Sequence, residues 1–206
     1  MPPWPELASR DLGIKVTDQR SSWVRKIRAG SNVWYVKTYC YEDPIKRFAN
    51  WAKWTAPWRR SRPARECAAY SWLDEHGFPA PRNYACLESR SAGFLKRATL
   101  ISAEVPGTPA DQLLARCGAS ERDRIAVRIG EFVRALHRTG FRDRNLDLRN
   151  LIVDRDQIFN VDSPRHRIVA ARRLDDALAR ADWRRLLPQL DVHGVRAAAV
   201  EAADAD

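Results

Sequence analysis

The stretch LHRTGFRDRNLDLRNLIV, residues 136–153, decides the fold. It opens on the last turn of an amphipathic segment and crosses Gly140. A glycine just past the last periodic residue ends a helix, because it takes the left-handed conformation that closes the final carbonyls. A charged loop follows, and then the apolar run Leu151–Val153, short enough for a strand. Residues 154–157 (DRDQ) read as a turn, and Ile158–Val161 as the returning strand. The stretch is therefore helix, polar loop and small hairpin, with Asp162 directly after the hairpin.

Upstream, Ile125, Ile129, Phe132, Val133 and Leu136 recur at helical spacing within Ser120–Arg138, and Ser120 reads as the N-cap. Asp111–Ala115 is a short helix, and Glu104–Pro109 breaks the chain. Before that break the pattern is mainly strand. Ser22–Arg28 and Val33–Tyr39 are rich in β-branched and aromatic residues and flank the turn residues Ala29–Asn32. Arg82–Leu87 and Phe94–Val105 form a second pair, with helical pattern from Pro44 to Gly77. Downstream, Ile168–Leu187 reads as a last helix stopped near Pro188. These elements make an α+β chain. Its expected parts are an extended lead-in (1–20), a small antiparallel-sheet lobe with one helix (21–104), a reduced helical lobe (105–190) and a frayed tail (191–206).

The composition, 45% hydrophobic and 30% charged over 206 residues, is that of a globular protein, not a disordered one. The net charge of +10 predicts attraction to polyanions: nucleic acid, anionic headgroups or phosphorylated glycolipid. A basic, solvated surface is the plain alternative. Cys40, Cys67, Cys86 and Cys117 form no CxxC and no Cys/His cluster, which argues against zinc and suits a reducing cytoplasm. The start of the chain shows no signal-peptide pattern, and no apolar run is long enough to span a bilayer. The expectation is a soluble or peripheral protein.

Four features stand in one order along this layout. Lys37 lies on a strand, Glu66 early in the following helix, Asn150 at the start of the hairpin, and Asp162 just after it. Protein kinases use a strand lysine for nucleotide phosphates, a helix glutamate to orient it, and an HRDxxxxN loop whose Asn shares metal binding with the later DFG Asp. Asn150 takes the place of that loop Asn. Asn145 then stands where the catalytic Asp belongs, and Asp143 and Arg144 take the His and Arg places. Asp147 either supplies the missing base or caps the loop through backbone amides. Ser163 and Pro164 replace the Phe-Gly of DFG. Gly30 is the one glycine in the first hairpin turn, with no GxGxxG.

VWYVKTY (33–39), ARECAAYSWLDEHGFPAP (64–81), LHRTGFRDRNLDLRNLIVD (136–154) and NVDSPRHRI (160–168) together resemble the lipopolysaccharide kinases of the Kdo/heptose kinase family, over roughly residues 22–190. The resemblance implies a two-lobed protein-kinase-like fold and ATP- and Mg²⁺- (or Mn²⁺-) dependent transfer to an inner-core sugar hydroxyl. Lys37, Glu66 and Gly30 would serve the nucleotide and Asn150 and Asp162 the metal, with Asn145 and Asp147 at the catalytic place and Arg165 and Arg167 toward substrate phosphate. It implies work at the inner face of the inner membrane. A nucleotide-binding pseudokinase with a scaffold or regulatory role is the alternative, and a nucleic-acid binder a distant one.

Residues 45–65 carry Lys46, Arg47, Lys53, Arg59, Arg60, Arg62 and Arg65 without an acid, interleaved with Phe48, Trp51, Trp54 and Trp58. On one continuous helix Trp51, Trp54 and Trp58 would share a face, with Lys46, Lys53 and Arg60 opposite. That pattern suits an interfacial helix at an anionic membrane or a phosphorylated glycolipid. The other reading packs the tryptophans on the small lobe and leaves the cations in water. Pro57 ends or kinks the helix.

Overall fold

A computed structural model describes Ala8, residues 11–170 and residues 176–204. The chain forms two compact units: one comprises the residues up to Trp72 plus Pro81–Val105, the other Leu73–Ala80 plus the residues from Pro106 onward.

The first unit is built on a five-stranded antiparallel sheet. In chain order its elements are β1 (Ile14–Gln19), β2 (Ser22–Ala29), β3 (Asn32–Cys40), α1 (Pro44–Ala49), a π-helical turn (Trp51–Thr55), α2 (Arg62–Glu75), β4 (Tyr84–Ser91) and β5 (Phe94–Ala103). The strand order is β1-β2-β3-β5-β4. Alternate residues of a strand face opposite ways, so Trp23, Arg25 and Ile27 of β2 and Trp34, Val36 and Thr38 of β3 are buried. Ile27 pairs with Trp34 and Val36 with Ile101, and these four form one apolar cluster. The tight turn after Ala29 uses the positive φ of Gly30, 62°.

Part of the expected lead-in is strand β1. The strand was hidden because all six of its residues are exposed, leaving no alternation of burial to read. The buried Arg25 holds it from β2, through an ion pair with Asp18 (3.1 Å) and a hydrogen bond to the Thr17 carbonyl (3.0 Å). Residues 1–7, 9 and 10 of that lead-in lie outside the described residues. The helical stretch after Pro44 is also not one helix. Asn50 ends α1, and its carbonyl accepts from the amides of Lys53, Trp54 and Thr55 in the π-turn.

The second unit contains β6 (Thr108–Pro109), α3 (Ala110–Arg116), α4 (Ala119–Arg138), β7 (Phe141–Arg142), a 3-10 turn (Leu148–Asn150), β8 (Leu151–Asp154), β9 (Gln157–Asn160), β10 (Arg167–Ile168), α5 (Ala177–Val192) and α6 (Arg196–Asp204). β6, β8 and β9 form a small sheet, and β7 pairs with β10. The core joins Leu114 of α3, Ile125, Ile129 and Val133 of α4, Leu151 and Ile158 of the hairpin, Leu186 and Leu190 of α5, and Ala199 of α6.

Four expectations change here. Gly118, not Ser120, is the N-cap of α4, and no side chain caps it. The last helix begins at Ala177, where Asp176 accepts from the amides of Leu178 and Ala179 at 2.8 Å each. Ile168 instead pairs with Phe141, and residues 171–175 lie outside the described ones. α5 continues through Pro188 to Val192, because Leu186 and Leu190 bury in the core on either side of it. The expected tail contains helix α6 through Asp204, seated where α4 has only a glycine: a Cβ on Gly130 would collide with the Ala199 carbonyl.

Candidate active site

Lys37 lies at mid-strand in β3, opposite Val24 and Leu100. Its Nζ donates to Glu66 Oε1 at 3.2 Å and reaches Oε2 at 3.5 Å. Glu66 is 1% exposed, and Tyr70, one helical turn on, donates its hydroxyl to Oε1 at 2.8 Å. A carboxylate this deeply desolvated holds its charge only through such partners, so the ammonium is fixed in position. Tyr70 was missed in the sequence, although its i+4 spacing from Glu66 was the available signal.

Gly30 does not join Lys37. It lies at the Ala29–Asn32 end of the β2–β3 hairpin, roughly 20 Å of strand away at ~3.3 Å per residue. The turn on Lys37's side of the sheet is β1–β2, where Ser22 pairs with both Gln19 and Tyr39. Arg20 and Ser21 occupy that turn, so no glycine is there. The expectation for Gly30 is corrected on this point: the unforeseen β1 shifts the relevant turn by one hairpin.

In the helical unit, Asn145, Asn150 and Asp162 come together. The Asn145 carboxamide donates to the Asp162 carbonyl at 2.9 Å and to its Oδ2 at 3.0 Å. Asn150 Nδ2 donates to the Asn145 carbonyl at 3.3 Å, and its own carbonyl accepts from Val161 N at 2.9 Å. Arg144 (φ 61°) and Asp162 (φ 64°) both sit in the left-handed region. Such backbone strain costs about 1–3 kcal/mol per residue and persists only where the surroundings over-determine it.

Asp182, fully buried on α5, supplies that constraint for Arg144. Its carboxylate accepts from Asp143 N (3.0 Å) and Arg144 N (2.7 Å) and lies 3.2 Å from His137 Nε2. Buried Arg142 adds a second tie, donating to the His137 carbonyl (2.8 Å) and to Asp176 (3.1 Å). Asp182 did not stand out in the sequence. Its signal was an acid on the apolar stripe of Ala179, Leu186 and Leu190.

Asp143 is buried and accepts from Asn160 Nδ2 at 3.1 Å. Burial, and then the charge of Asp182, push its carboxyl up to about 8, so it holds a proton at neutral pH. Asp147 turns both oxygens to Arg149: Oδ1 accepts from its backbone amide (3.0 Å) and Nε (2.9 Å), and Oδ2 from Nη2 (2.9 Å). Those bonds hold its carboxyl below the usual range, and it caps the 3-10 turn. Arg165 and Arg167 are exposed, the latter opposite Arg142 on β10.

The oxygen donors at Asn150 and Asp162 suit a hard divalent cation. Among the described residues no group of three or more His, Cys, Asp or Glu is placed to hold a metal ion. A cation here would take one carboxylate and one amide oxygen from the protein, and phosphate and water for the rest.

Trp51, Trp54 and Lys53 belong to the π-turn of the sheet unit. Trp51 packs on Phe94 (5.1 Å between centroids) and Trp54 on the cluster of Tyr41, Leu95 and Ala98. The shared tryptophan face of a continuous helix does not form, because α1 ends at Asn50. Lys53 is exposed.

A five-stranded antiparallel sheet with a glutamate-bearing helix, joined in sequence to a helical unit with a small hairpin, is a protein-kinase-like fold. The chain matches the APH phosphotransferase enzyme family over residues 16–205 and belongs to that family. Among solved structures it is similar to "WaaP in complex with acyl carrier protein", with 14% identity and a TM-score of 0.66, over 96% of this chain and 80% of that one. No curated protein matches it.

Proposed function

We propose that the chain is an ATP- and divalent-metal-dependent phosphotransferase acting on a sugar hydroxyl of the lipopolysaccharide inner core, at the cytoplasmic face of the inner membrane. The observation that carries this reading is the Lys37–Glu66 pair: a 3.2 Å contact to a carboxylate 1% exposed, an arrangement the sheet has no structural need to build. Family membership and the likeness in fold to WaaP support it. Lys37, held by Glu66 and Tyr70, would bind nucleotide phosphate. Asn150 and Asp162 would hold Mg²⁺ or Mn²⁺, which when bound neutralises charge on the transferring phosphoryl group. Exposed Arg165 and Arg167 would meet substrate phosphate.

Asn145 sets the rate. A carboxamide cannot take the proton of an attacking hydroxyl, and general-base assistance is typically worth about 10²–10⁴ in rate. Positioning and electrostatics supply most of phosphoryl transfer and remain, so the enzyme is slow. Asp147 lies two residues from Asn145, as buried Asp143 does, and serving as base would require it to leave Arg149.

The second reading, a nucleotide-binding pseudokinase, is favoured by the two bonds that Asn145 makes to Asp162. Thermal-shift titration with ATP, with and without Mg²⁺, followed by a γ-phosphate transfer assay on inner-core lipopolysaccharide, tests both. A nucleotide shift with slow transfer is expected. A shift without transfer selects the pseudokinase, and no shift refutes both.

A further inference from the structure

The sheet unit carries a projection that the phosphotransferase reading does not use. α1 buries none of its six residues. Ile45 and Phe48, one turn apart on it, are 79% and 81% exposed, and Trp58 is 72% exposed. These large apolar side chains lie in water although the unit has a core to place them in.

The projection is held together as a body. Thr55 Oγ1 donates to the Arg47 carbonyl at 2.6 Å, and the Asn50 side chain to the Lys46 carbonyl at 2.8 Å. Trp58 stands edge-on to Trp51 at 5.7 Å. Trp51 and Trp54 anchor the base to Phe94 and to Leu95 with Ala98. Trp51 and Trp54 are thus the fastening, while Ile45, Phe48 and Trp58 are what the fastening presents. Exposed Lys53, Arg59 and Arg60 and half-buried Lys46 surround them, and no acid occurs from 45 to 65. Beside Trp58 an open cleft of about 630 Å³ is lined by Arg59, Arg60 and Arg90, with Glu88 as its one acid. Arg90 is committed to Glu88 and the Arg59 carbonyl.

We infer that this projection docks the protein on an anionic lipid bilayer, with Ile45, Phe48 and Trp58 entering the interface and Lys46, Lys53, Arg59 and Arg60 meeting headgroup phosphates. Charge complementarity selects the occupant: apolar tips inside a ring of cations match an interface that is apolar below and anionic above. A nucleic acid would use the cations but has no place for Ile45 and Phe48. The inference does not depend on the chemistry of Lys37 or Asp162.

The test is co-sedimentation of the full chain with phosphatidylcholine vesicles, and with vesicles containing one third phosphatidylglycerol. Binding is expected only to the anionic vesicles, weakening as salt is raised. The exposed Ile45→Ser/Phe48→Ser/Trp58→Ser variant is expected to lose at least about tenfold in affinity, and Lys53→Ala and Arg59→Ala about fivefold each. Circular dichroism and the nucleotide thermal shift confirm that each variant is folded. Equal binding to both vesicle types, no binding to either, or unchanged binding by the folded triple variant overturns the inference. So does nucleic acid displacing the protein without help from the apolar tips.

Discussion

Replacing Asn145 by Asp puts a carboxylate at the proposed catalytic position and at the same time strains the site, and the structure sets the size of that strain. The Asn145 carboxamide donates two bonds to Asp162, at 2.9 and 3.0 Å. Removing two hydrogen bonds costs about 1 kcal/mol each. A carboxylate in that place also faces the Asp162 carboxylate at close to the same separation. Coulomb's law gives roughly 1.5 kcal/mol of repulsion in water and about 5 kcal/mol at an effective dielectric of 20. Both residues are half-buried, which places the total loss between these limits, at about 3.5–7 kcal/mol. A divalent cation held between Asp162 and Asn150 would cancel most of the repulsive part. Urea unfolding of both proteins, with and without millimolar Mg²⁺, measures this directly. Asn145→Asp is expected to be markedly less stable without metal and to recover with it, whereas the parent responds weakly. Transfer should rise by up to about 10²–10⁴-fold. A variant as stable as the parent and indifferent to Mg²⁺ would refute the contact with Asp162 and the metal site together.

Further outcomes are expected elsewhere. Asp143 keeps its proton in the fold up to about pH 8 but loses it near 4 when unfolded. Its contribution is therefore full below pH 4 and drains away as pH rises to 8, by at most about 1.4 kcal/mol per unit. The stability of Asp143→Asn relative to the parent should climb across that range, and a difference that is flat with pH would count against a protonated Asp143. Lys37→Met leaves Glu66 buried with Tyr70 and without its cation, so about 3 kcal/mol of stability is expected to go along with the ATP-induced thermal shift. Unchanged nucleotide binding would contradict the role given to Lys37. Gly130→Ala, normally mildly favourable in a helix, should destabilise by more than about 2 kcal/mol because α6 occupies the space, as read from chemical denaturation. Asp147→Ala should cost about 1 kcal/mol through the lost cap and leave turnover within severalfold; a loss of 100-fold or more would make Asp147 the base.

Much of the fold is written in local patterns. The β2–β3 hairpin follows from alternation around Gly30, and α4 from apolar residues at helical spacing. The β8–β9 hairpin follows from two apolar runs around a polar turn. Lys37, Glu66, Asn150 and Asp162 could be proposed as site residues for the same reason, since their spacing along these elements can be counted without coordinates. β1 escaped because its residues are all exposed and the buried side chain that ties it down, Arg25, starts on another strand. That omission moved Gly30 to the wrong turn. α6 escaped because its helix is held by a missing side chain, that of Gly130, which no periodicity records.

The sequence by itself determined the α+β order and the family resemblance, and it puts an amide at position 145, where the proposed function calls for a carboxylate. These are properties of residue identity and local spacing. Only the tertiary structure decided what the amide does, which is to bond Asp162, and that Asp147 faces Arg149. Only it revealed Asp182 as the carboxylate that holds the loop, and separated the tryptophans that anchor the projection from the side chains it exposes. Apart from the local Asp147–Arg149 contact, these depend on residues separated in the chain, whose partners are set by packing and not by spacing.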